Sequence, residues 1–157
     1  MNRQIKKKEM LILSLLRKNS RESLTKISKV SNIPISTIYD KLKIQQDNII
    51  KKHTCILDFS KIGFNSRASL SIKTNLNKKQ ELKEYLIKHP NINTIYKINN
   101  GYDFWIECIF KHIKDLENFI EFLEIKYNIK KQVYYIIEDI KREEFMSNPE
   151  SLKLVNV

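Results

Sequence analysis

The spacing of apolar positions changes along this chain, and each change marks a new element. From Gln4 to Lys18, Met10, Leu11, Ile12, Leu15 and Leu16 recur at helical intervals, one apolar stripe on a helix whose other side is basic. A shorter helix is predicted over Ser23 to Ser31, where Leu24, Ile27 and Val30 keep three-residue spacing. Asn32-Ile33-Pro34 then interrupts the pattern. Pro34 disfavours helix at Ile33, and Ser36 is placed to cap a third helix reaching Gln45 with Ile38 and Leu42 turned inward. Thr37, Tyr39, Asp40, Lys41 and Lys43 are left on its outer side. Two short helices joined by a tight turn and supported by a preceding amphipathic helix make a helix-turn-helix.

Ile49 to Phe59 reads as a strand leading away from the helices, with Lys51 and Lys52 at its start. Around Phe59-Ser60-Lys61-Ile62-Gly63-Phe64 the pattern resets, and one of the two glycines falls here. Beyond it Ala68, Leu70 and Ile72 alternate with polar residues as a half-buried strand. Leu82, Tyr85, Leu86 and His89 follow helix spacing over Lys78 to His89, stopped by Pro90. Ile92 to Ile98 is a strand, Asn99-Asn100-Gly101 a hairpin turn, and Phe104 to Phe110 the returning strand, with Phe104, Ile106, Cys108 and Phe110 on one face. Ile113, Leu116, Phe119, Ile120 and Leu123 line a helix, and Val133 to Ile137 is the last strand. The order βαββαβ predicts a ferredoxin-like antiparallel sheet with both helices on one face. Trp105 and Ile109, alternating with Glu107, would then stand on the open face and need a cover. Phe119, Phe122, Tyr127, Tyr134 and Tyr135 are expected in the core and at a dimer surface.

Composition narrows the function. The 157 residues are 41% hydrophobic and 30% charged, enough for a buried core. No apolar run approaches the roughly 20 residues needed to cross a bilayer, and no signal-type segment opens the chain, so a cytoplasmic protein without membrane partners is expected. Cys55 and Cys108 are far apart and read as small buried hydrophobes. His53, His89 and His112 are scattered, so neither a metal nor another cofactor is expected.

Net charge is +11, and it is uneven: residues 1–60 carry 13 basic and 5 acidic side chains, whereas 61–157 carry 16 and 13. The positive field therefore sits on the helix-turn-helix third, as a polyanion-binding segment requires. Its last helix can enter the roughly 12 Å wide major groove with its N-terminal half against base edges. Lysines such as Lys51 and Lys52 would hold phosphates.

Three stretches together resemble the Lrp/AsnC family of feast/famine regulators: Ile12-Leu13-Ser14-Leu15-Leu16-Arg17-Lys18-Asn19-Ser20-Arg21, its first helix and exit; Ile35-Ser36-Thr37-Ile38-Tyr39-Asp40-Lys41-Leu42-Lys43, its recognition helix; and Leu57-Asp58-Phe59-Ser60-Lys61-Ile62-Gly63, its linker strand. The resemblance spans about Ile5 to Phe145. It implies an α+β chain, with an N-terminal winged helix-turn-helix and linker strand over 1–59 and a C-terminal ferredoxin-like regulatory and dimerisation domain over 60–157. It implies a non-enzymatic regulator on double-stranded DNA, with Ser36, Thr37, Tyr39, Asp40, Lys41, Lys43, Lys51 and Lys52 as the DNA-binding set. A homodimer, or a higher assembly such as an octamer, is implied as well. So is an amino-acid or related effector at Asn100, Gly101, Tyr102 and Asp103, where Asp103 would either meet an α-ammonium or accept backbone hydrogen bonds within the hairpin. Two other functions stay open at this point: an architectural protein coating DNA with weak sequence preference, and a siroheme-decarboxylase-like enzyme sharing the architecture.

Overall fold

The structure is a computed structural model and describes residues 7–154. The chain divides into two compact units, one from the described parts of Met1–Ile56 and Ile140–Val157, the other from Leu57–Asp139. The last residues thus group with the helices, whereas the sequence places all of 60–157 in one domain.

The first unit holds α1 (Lys7–Lys18), α2 (Leu24–Ser31) and α3 (Ile35–Asn48). The expected start of the first helix at Gln4 lies outside the described residues. Ser23 begins α2 by accepting the Lys26 amide on its hydroxyl at 3.2 Å. Asn32 ends it at φ 53°, the left-handed conformation that asparagine tolerates. The Ser28 hydroxyl then donates to the Ile33 carbonyl at 2.6 Å, fastening the turn. This drives Ile33 into a small core with Ile12, Ile27 and Ile38, against which Leu15, Leu16, Leu24 and Leu42 pack.

Two expectations need correction here. Ser36 does not cap α3: the Ile38 amide bonds to the Pro34 carbonyl at 3.0 Å, so the helix begins two residues earlier with Pro34 as its cap and Ser36 inside the first turn. The helix also continues past Gln45 to Asn48, since no glycine or proline interrupts it. The strand expected in Ile49 to Phe59 is not formed, nor is any strand of a wing among the described residues of this unit. An isolated strand leaves its backbone groups unpaired, and nothing described in this unit pairs with it. A 3₁₀ turn at Phe59–Ile62 follows, closed by Gly63 at φ 87°.

The second unit contains β1 (Ser66–Lys73), α4 (Leu76–Lys88), β2 (Ile92–Lys97), β3 (Phe104–Phe110), α5 (Ile113–Tyr127) and β4 (Lys130–Tyr135). Its four strands lie in the order β2-β3-β1-β4, all neighbours antiparallel, as the βαββαβ reading requires. Ala68, Leu70 and Ile72 of β1 and Phe104, Ile106, Cys108 and Phe110 of β3 form one buried face under Leu82 and Leu86 of α4 and Leu116, Phe119, Ile120 and Leu123 of α5. Burying a Leu, Ile or Phe side chain contributes roughly 1.5–3 kcal/mol, so this layer dominates the unit's stability. The last strand starts three residues and ends two residues earlier than its β-branched run indicates. Its start is set by its partner, since Lys130 pairs Lys73, the last residue of β1; at the other end Tyr135 pairs Ala68, and the Ile136 amide still donates to the Arg67 carbonyl at 2.9 Å. Cys108 is buried as expected, which pushes its thiol pKa up to about 12, whereas Cys55, expected to be buried too, is exposed.

Candidate nucleic-acid interface

Helix periodicity sorts the residues of α3. Residues three, four and seven apart share a face, so Ser36, Tyr39, Asp40 and Lys43 form one exposed stripe, with Tyr39 61% accessible. Asp47 continues the same stripe and was not singled out from the sequence, although its spacing from Asp40 and Lys43 would have found it. Ile38, Leu42 and Gln45 face the other way. Thr37 lies half-buried at the edge between the two faces.

Lys41 is placed differently from the rest of the predicted set. Its ammonium donates to Glu9 Oε1 of α1 at 2.6 Å, and the two side chains are 26% and 5% exposed. Glu9 is therefore a buried carboxylate whose charge is matched by Lys41, which braces α3 against α1. Sequence spacing put Lys41 outward because only the tertiary packing brings α1 to that side of the helix.

The stripe carries one cation, Lys43, against two carboxylates. Further cations of the same unit, Lys29, Lys51 and Lys52, are exposed and make no ion pair among the described residues. Lys26, by contrast, is tied to Glu22 at 2.7 Å. At the start of α3 no side chain caps the helix, so amide N–H groups of its first turn are open to an acceptor beside Ser36. A convex helix with polar side chains, an open N-terminus and lysines flanking it can meet a groove, with base edges under the stripe and phosphates against the rim.

The hairpin between β2 and β3 turns through Asn100 (φ 59°) and Gly101 (φ 86°), the two positive φ values the sequence predicts. Tyr102 is half-buried. Asp103 is 5% exposed and both its oxygens are engaged: Oδ2 accepts the Thr74 amide at 3.0 Å, and Oδ1 accepts from Lys79 at 2.5 Å, with Lys73 at 3.7 Å. Burial would raise this carboxyl, but Lys79, the Thr74 amide and Lys73 outweigh it and hold it below the usual range. Asp103 thus accepts one backbone hydrogen bond, from Thr74 outside the hairpin, and one from a side-chain ammonium. The ammonium it meets belongs to Lys79.

On the open face of the sheet Trp105 stacks on Tyr134, ring centroids 5.6 Å apart, and Tyr96 is exposed beside Trp105 across the β2–β3 pair. Ile109 on this face is buried. Phe119 and Tyr127 are core residues, whereas Phe122, Tyr134 and Tyr135 are exposed.

No family model matches the chain. Among curated proteins it is 30% identical over 111 residues to the HTH-type transcriptional regulator FL11 of Pyrococcus furiosus, an alignment covering 70% of this chain and 74% of that protein. Among solved structures it superposes on LrpC of Bacillus subtilis with a TM-score of 0.81 at 18% identity, covering 88% of this chain and 99% of the other. A Neisseria meningitidis transcriptional regulator solved as its L-Met complex gives a TM-score of 0.81 at 15% identity, covering 88% and 94%. At these identities the two structures show the shared fold.

Proposed function

The chain belongs to the Lrp/AsnC family of DNA-binding transcriptional regulators, and from that premise we propose how its own residues do the work. The reading surface is the stripe Ser36, Tyr39, Asp40 and Lys43, set into the major groove, while Lys51 and Lys52 neutralise phosphates. Thr37 lines the edge of the contact, and Lys41 acts by holding α3 on α1. The single observation that carries this reading is the exposed polar stripe on a helix whose opposite side is locked into the core by Ile38 and Lys41. Asp40 in the stripe repels phosphate and accepts from a cytosine amino group, so it favours correct sites by penalising others.

Two recognition helices reach successive major grooves when two copies pair. The half-buried Trp105 and the exposed Tyr134 and Tyr96 support the sheet's open face as the pairing surface. The effector is a small amino acid, a reading supported by the L-Met complex of the Neisseria relative. Its contacts come from Asn100, Gly101 and Tyr102 at the hairpin tip. Asp103 anchors that hairpin from below.

The test is fluorescence anisotropy on the protein's own promoter against a scrambled duplex, over a range of salt. Specific affinity should exceed random affinity and fall with salt at a slope of roughly 0.9 per phosphate contact. Equal affinity for both duplexes would instead favour a DNA-coating protein.

A further inference from the structure

We infer that Arg17 is the positioning residue of a C-terminal strap, which gives the helix-turn-helix unit a second hold on the rest of the chain and steadies its presentation to DNA. The chain passes between its two compact units twice, at Ile56–Leu57 and again at Asp139–Ile140. Each side of the second passage is fastened inside its own unit. In the sheet unit, Arg67 of β1 holds Asp139, with Nη1 2.7 Å from both carboxylate oxygens, while its Nε donates to Glu107 of β3 at 2.5 Å. In the helical unit, Arg17 near the end of α1 takes the tail. Its Nε donates to the Phe145 carbonyl at 3.2 Å, and its Nη2 donates to both the Glu143 carbonyl and the Glu143 carboxylate at 3.0 Å.

Between the two arginine clamps stand only residues 140–142, a span of at most about 14 Å when fully extended. So short a piece cannot behave as a loose leash. The tail also takes backbone conformations that non-glycine residues hold only under constraint, with φ 53° at Glu143 and φ 61° at Met146. The double contact of Arg17 with Glu143 is such a constraint. Ser147 then donates to the Glu144 carbonyl at 2.9 Å, and the 3₁₀ turn Pro149–Leu154 packs on α1. The first passage differs: residues 51–56 are exposed and form no helix or strand. Arginine is the residue this strap needs, because its fixed fork serves a carbonyl and a carboxylate at once, which a lysine's single ammonium does not reproduce.

The inference rests on the reading of a dimer that binds two half-sites. Such a duplex rewards recognition helices already held in place, since ordering them on binding costs affinity. The test compares full-length wild type, Arg17→Ala and Arg17→Lys on a promoter duplex with both half-sites and on one with a half-site scrambled. Melting curves and trypsin cleavage at Lys141 are followed alongside. Both variants should lose about tenfold on the complete duplex and little on the single half-site, with an unchanged salt slope and faster cleavage at Lys141. Wild-type behaviour of Arg17→Lys overturns the strap. So do equal losses on both duplexes: with a shallower salt slope they make Arg17 a phosphate contact, and with a lowered melting point a mere structural prop. If wild type itself binds both duplexes alike, the dimeric reading fails, and the strap then stands or falls on cleavage at Lys141, which it requires to be faster in Arg17→Ala.

Discussion

The two units solve opposite problems with charge. In the sheet unit, cations beside carboxylates are paired off: Arg67 with Glu107 and Asp139, Lys79 and Lys73 with Asp103, Lys131 with Glu124. In the helical unit Arg17, Lys26 and Lys41 are paired with Glu143, Glu22 and Glu9, but Lys29, Lys43, Lys51 and Lys52 make no ion pair among the described residues. Their cores differ as well. Fifteen buried residues form the sheet unit's cluster, but four isoleucines form that of the helical unit, where the buried Ser14 and Ser31 hydroxyls and the Gln45 side-chain oxygen find no described partner. Unmet polar atoms in a small core cost stability. One unit is built to persist, and the other to offer its charges to a polyanion.

Breaking the smaller core should have the largest effect. Ile38→Ala should cost about 3 kcal/mol, abolish DNA binding and remove the helical unit's signal in calorimetry while leaving the sheet transition in place. A single transition lost as a whole would show that the two units do not differ in stability as argued.

Next comes Lys41→Ala, which takes the Lys41 ammonium away from the buried Glu9 carboxylate. It should lower the stability of the helical unit by about 2 kcal/mol, measured by denaturant titration, with little change in the DNA affinity of the folded fraction. Tyr39→Ala should do the reverse, weakening specific binding by about 1–2 kcal/mol in anisotropy with an unchanged melting temperature. If both variants lose binding alone, Lys41 reads DNA and the brace is incidental.

The smallest effect sharpens the sheet side. Because the folded Asp103 carboxyl lies below its unfolded value, its contribution is complete above about pH 4 and is lost as pH falls through the lowered folded value. Wild type should therefore lose stability on that acid limb more steeply than Asp103→Asn. Parallel acid curves would show that Lys79 and Thr74 do not hold the carboxylate.

Period and punctuation alone gave the helices of both units and the order of the sheet's four strands. Helical spacing at Leu24, Ile27 and Ile38, the break at Pro34 and the alternation through β1 and β3 reflect local sterics and the direction of successive side chains, which neighbouring residues set among themselves. The Asn100-Gly101 turn was legible for the same reason: few residues adopt two positive φ values in succession. The resemblance carried the family, and helical spacing the outward side chains of α3. What spacing could not supply was anything decided by a partner far along the chain. Lys41 looked like its neighbours until α1 brought Glu9 beside it, 32 positions earlier. Asp103 looked available until Thr74 and Lys79 took both its oxygens. The strand after α3 failed for want of a strand beside it, β4 took its start from the end of β1, and residues 140–154 joined the helices through Arg17. Local preference writes elements into the sequence, whereas the pairing of charges and backbone edges depends on what folding places opposite them.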